Sequence, residues 1–159
     1  MSYTVWKFIH LVCVIVFLGN ITTGLFWADH AHKTRDARLI ASIFHGLTKS
    51  DRWFTIPSVI GIVVSGVKAA LIGGLPILAT GWILWPIILF SISGIVFGIW
   101  VAPLQRRIHR LMQEASSFEQ ARETYAALHR KFNLWGLVAI GTLVIATAIM
   151  AFKPSLPAP

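Results

Sequence analysis

Charged side chains are scarce in this chain of 159 residues, where Asp, Glu, Lys and Arg together make up 13%. A soluble domain is about one-quarter charged and roughly 45–50% apolar, whereas 56% of these residues are hydrophobic and the mean hydropathy is +0.72. The apolar residues are also gathered into long runs. The scarcity of charge therefore excludes an ordinary soluble domain and predicts an integral membrane protein, whose length suits one small bundle.

Cysteine and the motifs of soluble enzymes are also lacking. The single cysteine, Cys13, lies in the first apolar run and has no partner for an internal disulfide, so the redox compartment stays undetermined. No Walker, Rossmann, nucleophile-elbow or zincin pattern is present, which disfavours soluble-type hydrolase and nucleotide chemistry. Acidic residues are absent from the apolar runs, and no matched pair of broken helices is present, so a transporter has little support.

Four apolar runs are present, 5–27, 53–72, 81–102 and 132–152, each about the roughly 20 residues that a bilayer requires. The first run is too long for the core of a signal peptide, so we expect a retained helix. The polar segment 28–52 is predicted to extend span one and to form a short surface helix over 37–47. The sequence predicts an all-α fold, a single transmembrane four-helix up-down-up-down bundle over residues 1–154, with a disordered tail over 155–159.

The basic residues are distributed unevenly between the two sides of the predicted bundle. Eleven of the 14 Lys and Arg residues lie in the two polar segments, 28–52 and 104–131. The positive-inside rule then places both segments in the cytoplasm and both termini outside it. Since these cations flank apolar runs, the formal charge of +8 indicates orientation and contact with anionic lipid, and no nucleic-acid partner is expected.

Small residues recur every four positions in the second and third spans. They are Gly61, Ser65, Ala69 and Gly73 in one span, and Gly94, Gly98 and Ala102 in the other. Such stripes let helix backbones approach closely in lipid, so we expect these two spans to form a tightly packed hairpin. The same stripes support one alternative function, a non-enzymatic membrane subunit that packs against a second copy or against a larger membrane partner.

His10 lies inside the first span, where an ionisable residue is costly and marks a functional site by default. Helical rise places Lys68 at a depth similar to that of His10, Met150 slightly nearer the outer surface, and Lys7 one turn above His10. A haem needs an axial ligand and cations for its carboxylates. We therefore predict His10 as an axial ligand of haem b, Met150 or another inward residue as any second ligand, and Lys7 and Lys68 as partners of the carboxylates. A structural histidine, snorkelling lysines and a packing methionine are the alternatives.

The five other histidines fall in the polar segments, and the sequence leaves their roles open. They are His30, His32, His45, His109 and His129. Their spacing matches no zinc motif, which favours solvated or lipid-facing side chains. His30 and His129 border spans and lie close enough to reach the mouth of the bundle.

Short motifs at the span ends carry a resemblance to known proteins. They are Lys7-x-x-His10, Gly19 and His30 in the first helix, Gly81-Trp82 opening the third, and Phe132-Asn133 and Lys153-Pro154 bounding the fourth. The pattern resembles small bacterial four-helix predicted integral membrane proteins of unknown function. It is also distantly similar to the HemJ-type protoporphyrinogen IX oxidases, which bind haem b through a histidine in the first span.

This resemblance implies a bacterial inner-membrane protein that binds haem b or a porphyrin, acting in electron transfer or porphyrin oxidation. His10 corresponds to the haem ligand, and His30 and Asn133 correspond to family positions less closely. A haem-dependent oxidoreductase of this kind would use a redox partner or a quinone. Trp85 stands where those oxidases carry a lysine, which argues against their specific activity and leaves haem binding open.

Overall fold

The computed structural model of the protein describes residues 2–157, and this part of the chain is helical with no strand. Its six α-helices are α1 (Tyr3–Thr34), α2 (Ala37–Ser50), α3 (Ile56–Ile72), α4 (Gly81–Val96), α5 (Ala102–Glu114) and α6 (Phe118–Phe152). A π-helical segment, Asp51–Thr55, joins α2 to α3, and a second, Phe97–Val101, joins α4 to α5. The result is four long helices, each apolar enough to cross a membrane, and the predicted all-α four-helix class is confirmed.

Two tight turns close one end of the bundle. Arg35 adopts a left-handed conformation, with φ of 53°, and ends α1. The Asp36 carboxylate then accepts hydrogen bonds from the backbone N–H groups of Arg38 and Leu39, which caps α2. Ser117 caps α6 in the same way. We call this end, with its turns at 35–36 and 115–117, the polar end, and the opposite end the terminal end.

The polar segment 37–47 does not form the separate surface helix that its sequence predicts. It belongs to α2, which continues through the π segment into α3 and packs against α5. Its apolar face, Ile40, Ala41 and Phe44, is buried. The amphipathic pattern therefore packs against protein, whereas the prediction assigned it to the membrane surface.

The protein has two apolar cores, and the larger one lies at the polar end. That core includes Ile40, Phe44, Ile108, Tyr125 and Phe132, all nearly inaccessible. The smaller core, centred on Phe17, Ile62 and Leu143, lies in the spanning part. In lipid, apolar side chains gain little by turning inward, so the spans expose residues such as Ile15 and Ile60.

The helices pair differently from the prediction. Within the spanning part α1 packs against α3 and α4 packs against α6, whereas α3 and α4 are not packed together over the described residues. The expected hairpin of spans two and three is therefore wrong, since the connection 73–80 lets the two helices separate. The stripe on α3 faces α1 instead: Gly61 abuts Cys13, and Gly73 abuts Tyr3.

The chain after α6 returns to the start of α4. Lys153 ends α6, and its Nζ lies 4.9 Å from the centre of the Trp82 ring. The Trp85 Nε1 donates to the Pro157 carbonyl at 3.1 Å, and Gly81 lies directly against the Leu156 backbone. Of the predicted disordered tail, residues 158–159 lie outside the described part, and the disorder stays a prediction.

Candidate functional site

His10 lies between α1 and α3, and its ring contacts the face of α3. Its Nδ1 lies 3.0 Å from the Ile62 carbonyl oxygen and 3.4 Å from the Ser65 hydroxyl. A Cβ added to Gly66 would come within 3.1 Å of the ring. Glycine at this position thus gives the imidazole room to lie against the α3 backbone.

The hydrogen bond to Ile62 determines the tautomer of His10. A carbonyl oxygen only accepts, so Nδ1 must carry the proton and donate it. The lone pair of a neutral ring is then on Nε2. This arrangement, with one ring nitrogen donating to a backbone carbonyl, is the usual one for histidines that ligate a metal through the other nitrogen.

Within residues 2–157, none of the other predicted members of the outer site forms a hydrogen bond with His10. Lys7 and Lys68 are exposed, and neither forms an ion pair within residues 2–157. Met150 is half-buried on α6, whose partner in the spanning part is α4. The structure thus brings His10 to α3 and leaves the lysines and Met150 as separate groups.

A partly buried polar layer, which sequence reasoning missed, lies between the two apolar cores. It consists of Asn20, Ser50, Asp51, Thr55 and Gln105. The Asp51 carboxylate accepts from Thr55 Oγ1 at 2.8 Å, from Gln105 Nε2 at 3.0 Å and from Asn20 Nδ2 at 3.3 Å. Asn20 Nδ2 also donates to Thr55 Oγ1 at 2.9 Å, and the Ser50 hydroxyl donates to Asn20 Oδ1. One hydrogen-bonded group therefore links α1, the first π segment and α5.

A cavity of about 30 Å³ adjoins the polar layer. Its polar wall is formed by Asn20, Ser50, Asp51 and Gln105, and apolar side chains from α1, α2, α6 and the second π segment complete it. Asp51 is the one titratable residue among those that line it. Both π segments thus lie beside the cavity, and such segments occur frequently at functional sites.

A second cluster lies at the polar end, where α1 meets α6. The rings of His32 and His129 stack at 4.2 Å, and Tyr125 lies 5.5 Å from each of them. Three buried atoms here have no hydrogen-bond partner within the described chain: His32 Nδ1, His129 Nε2 and the Tyr125 hydroxyl. Burial lowers the pKa of His129, and the nearby His32 lowers it further.

The remaining histidines are placed separately. His45 and His109 lie 5.2 Å apart along an open cleft at the polar end, and His109 Nδ1 donates to the Ala41 carbonyl at 2.9 Å. His30 is exposed and packs beside Phe26 and Trp27. Residues 2–157 contain no group of three or more His, Cys, Asp or Glu side chains arranged to hold a metal ion.

Comparison with known protein families yields a match that spans nearly the whole chain. The family model described as predicted integral membrane protein (DUF2269) matches residues 4–154. The chain belongs to this family. Neither the curated proteins nor the solved structures contain a match.

Membership establishes this DUF2269 protein as an integral membrane protein with four spanning helices, in contact with the lipid bilayer. The predicted likeness to small integral membrane proteins of unknown function is confirmed, whereas a likeness to the HemJ-type oxidases is not shown. The four apolar runs found in the sequence lie within the four long helices.

A signal for the polar layer was present in the sequence, although it was missed. Asp51 stands next to Arg52 and two residues after Lys49, so its place in the polar segment suggests an exposed charged side chain. Helical spacing from Asp51 leads to Thr55 and Ser58, and these two polar side chains are buried. An inward polar face, continued along the helix, was the sign that Asp51 points into the bundle.

Proposed function

We propose that this integral membrane protein binds haem b or a related porphyrin at the terminal end of its bundle, with His10 as an axial ligand. The observation that carries the proposal is the hydrogen bond from His10 Nδ1 to the Ile62 carbonyl. It leaves Nε2 as the ligating atom and holds the imidazole plane in place. Gly66 and Ser65 support the same ring orientation.

Three further side chains would complete the site. The exposed Lys7 and Lys68 would neutralise the carboxylates of a porphyrin. The half-buried Met150 of α6 would be the second ligand of the iron. A bound haem would supply one-electron redox chemistry, for electron transfer or porphyrin oxidation with a quinone or a redox protein.

The proposed orientation rests on the distribution of charge. With eleven cations near the polar end, the positive-inside rule places that end in the cytoplasm and both termini outside it. His10 would then lie in the outer leaflet of a bacterial inner membrane. Reporter fusions to each terminus test this orientation separately from haem binding.

An absorption spectrum of the protein purified in detergent and supplied with haem tests the proposal. We expect a Soret band that disappears in His10→Ala and persists in His30→Ala. His30 is a suitable control because it lies on the same helix and is exposed. A colourless wild-type protein, or a band unaffected by His10→Ala, would contradict the proposal.

The alternative is a small membrane subunit that packs against a second copy or a larger partner. One observation favours it: a Cβ added to Gly94 or Gly98 would meet no heavy atom of the described chain within 4 Å, so this face of the third long helix is open. The stripe on α3, in contrast, is already covered by α1. Molecular mass in detergent, compared between wild type and Gly98→Leu, distinguishes self-association from lipid contact.

A further inference from the structure

The polar layer encloses one formal negative charge without a matching positive charge. Asp51 receives hydrogen bonds from three neutral side chains, and neither of the two ion pairs in the described chain includes it. An ionised carboxylate held away from water is costly unless another charge or a proton compensates it. The site therefore favours the binding of a positive species.

Space for that species is adjacent to the carboxylate. The cavity beside Asp51 has a volume of about 30 Å³, which exceeds the roughly 10–15 Å³ that one water-sized particle needs. Its titratable lining is Asp51 alone: α1 contributes Asn20 and α5 contributes Gln105, and the α6 wall is apolar. No basic side chain lines the cavity from these helices.

The side chains of the polar layer can supply a shell of oxygen atoms. All five carry at least one oxygen, and they approach from three helices. Asn20 and Gln105 point their amide nitrogens at Asp51. A half-turn of each terminal amide would present the oxygen instead. Hard cations prefer oxygen ligands of this kind.

We propose that the cavity beside Asp51 binds one small monovalent cation of the sodium type, held by the Asp51 carboxylate and by the side-chain oxygens of Asn20, Ser50 and Gln105. The valence follows from the charge of the site. One carboxylate neutralises one positive charge, whereas a divalent ion would leave a net charge buried between two apolar cores. The cation would also join α1, α2, the first π segment and α5.

This site is independent of the proposed haem site. Asn20 lies ten residues from His10 on the same helix, a distance of about 15 Å along the axis. The two sites share no side chain. Loss of haem binding would leave the cation proposal intact, and the reverse also holds.

Thermal unfolding in detergent at constant ionic strength tests the cation site. Replacing choline chloride stepwise by NaCl should raise the Tm of the wild type in a saturable manner, since a ligand of the folded state stabilises it. Asp51→Asn should show no such rise. Asp29→Asn should respond as the wild type does, because Asp29 is a half-exposed carboxylate paired with Lys33 at the polar end.

Ser50→Ala provides a second variant, in which one uncharged side chain of the cavity wall loses its hydroxyl. It removes one oxygen ligand, so the half-maximal Na⁺ concentration should rise by about tenfold, which corresponds to roughly 1.4 kcal/mol. Direct binding of ²²Na⁺ to the wild type by equilibrium dialysis provides a readout that does not depend on how Asp51→Asn folds.

Three results would overturn the proposal. One is an equal Tm in NaCl and in choline chloride for the wild type. The second is an undiminished Na⁺ response in Asp51→Asn. The third is the absence of ²²Na⁺ binding to the wild type, together with a pH dependence of its stability that Asp51→Asn lacks. A proton would then be the compensating charge.

Discussion

The contact between Gly61 and Cys13 offers the most direct test of how α1 and α3 pack. A Cβ placed on Gly61 would lie 2.5 Å from the Cys13 sulfur and 3.5 Å from its Cβ. The sulfur distance is far below van der Waals contact. Gly61→Ala must therefore move the thiol to another rotamer or separate the two helices.

The expected cost of Gly61→Ala can be worked from two opposing effects. Overpacking a close contact destabilises a protein by about 1–3 kcal/mol. Alanine favours the helix over glycine by up to about 1 kcal/mol. With the full gain subtracted, the net loss should be about 0–2 kcal/mol. Cys13→Ala removes the sulfur, so the double variant should recover most of the loss, with a coupling energy of about 0.5–2 kcal/mol.

The assay is reversible unfolding in mixed micelles, followed by circular dichroism. Gly94→Ala is the matched control, because its added Cβ meets nothing within 4 Å, and it should be neutral or slightly stabilising. The reasoning fails if Gly61→Ala is as harmless as Gly94→Ala. It also fails if Cys13→Ala does not rescue the Gly61→Ala variant.

Two further predictions concern the contacts of α6. Ser93 donates to the Ala139 carbonyl at 3.0 Å across the buried α4–α6 contact, so Ser93→Ala should cost about 0.6 kcal/mol in the same unfolding assay. Ser91→Ala should cost less, since Ser91 bonds within its own helix, and equal costs would contradict this. Burial lowers the pKa of His129 from its ordinary 6.5, so the unfolded chain takes up this proton at a higher pH than the folded one. Stability should therefore be full above about pH 6.5 and decline below it, and His129→Gln should reduce the decline in Tm between about pH 7.5 and about pH 5.5.

The outer site shows what the sequence pattern of a single helix can predict. The apolar run around His10 and its helical phase were enough to predict an inward-facing histidine, and its ring does contact α3. The sequence did not show which helix packs against His10. The small residues of α3 have the same spacing as those of the third span, so the sequence favoured packing between these two helices. Only the structure shows that the small residues of α3 face α1.

The polar layer shows the opposite case. Each of its members has an ordinary explanation in the sequence: Asp51 stands in a charged segment, and Gln105 follows the third span. They are 54 residues apart in the chain, yet their side chains meet at 3.0 Å. No local pattern links such distant positions, because the contact depends on the register of two helices set by the cores on either side.

The sequence by itself determined that the chain is an all-helical membrane protein, because run length and the scarcity of charge are properties of consecutive residues. It also placed His10 inside a span. The tertiary structure alone decided that α3 pairs with α1, that the histidines at the polar end gather in two pairs, and that Asp51 points into a cavity. The physical reason is that lipid leaves helix pairing to close steric fit and to hydrogen bonds between helices, which depend on atoms far apart in the chain.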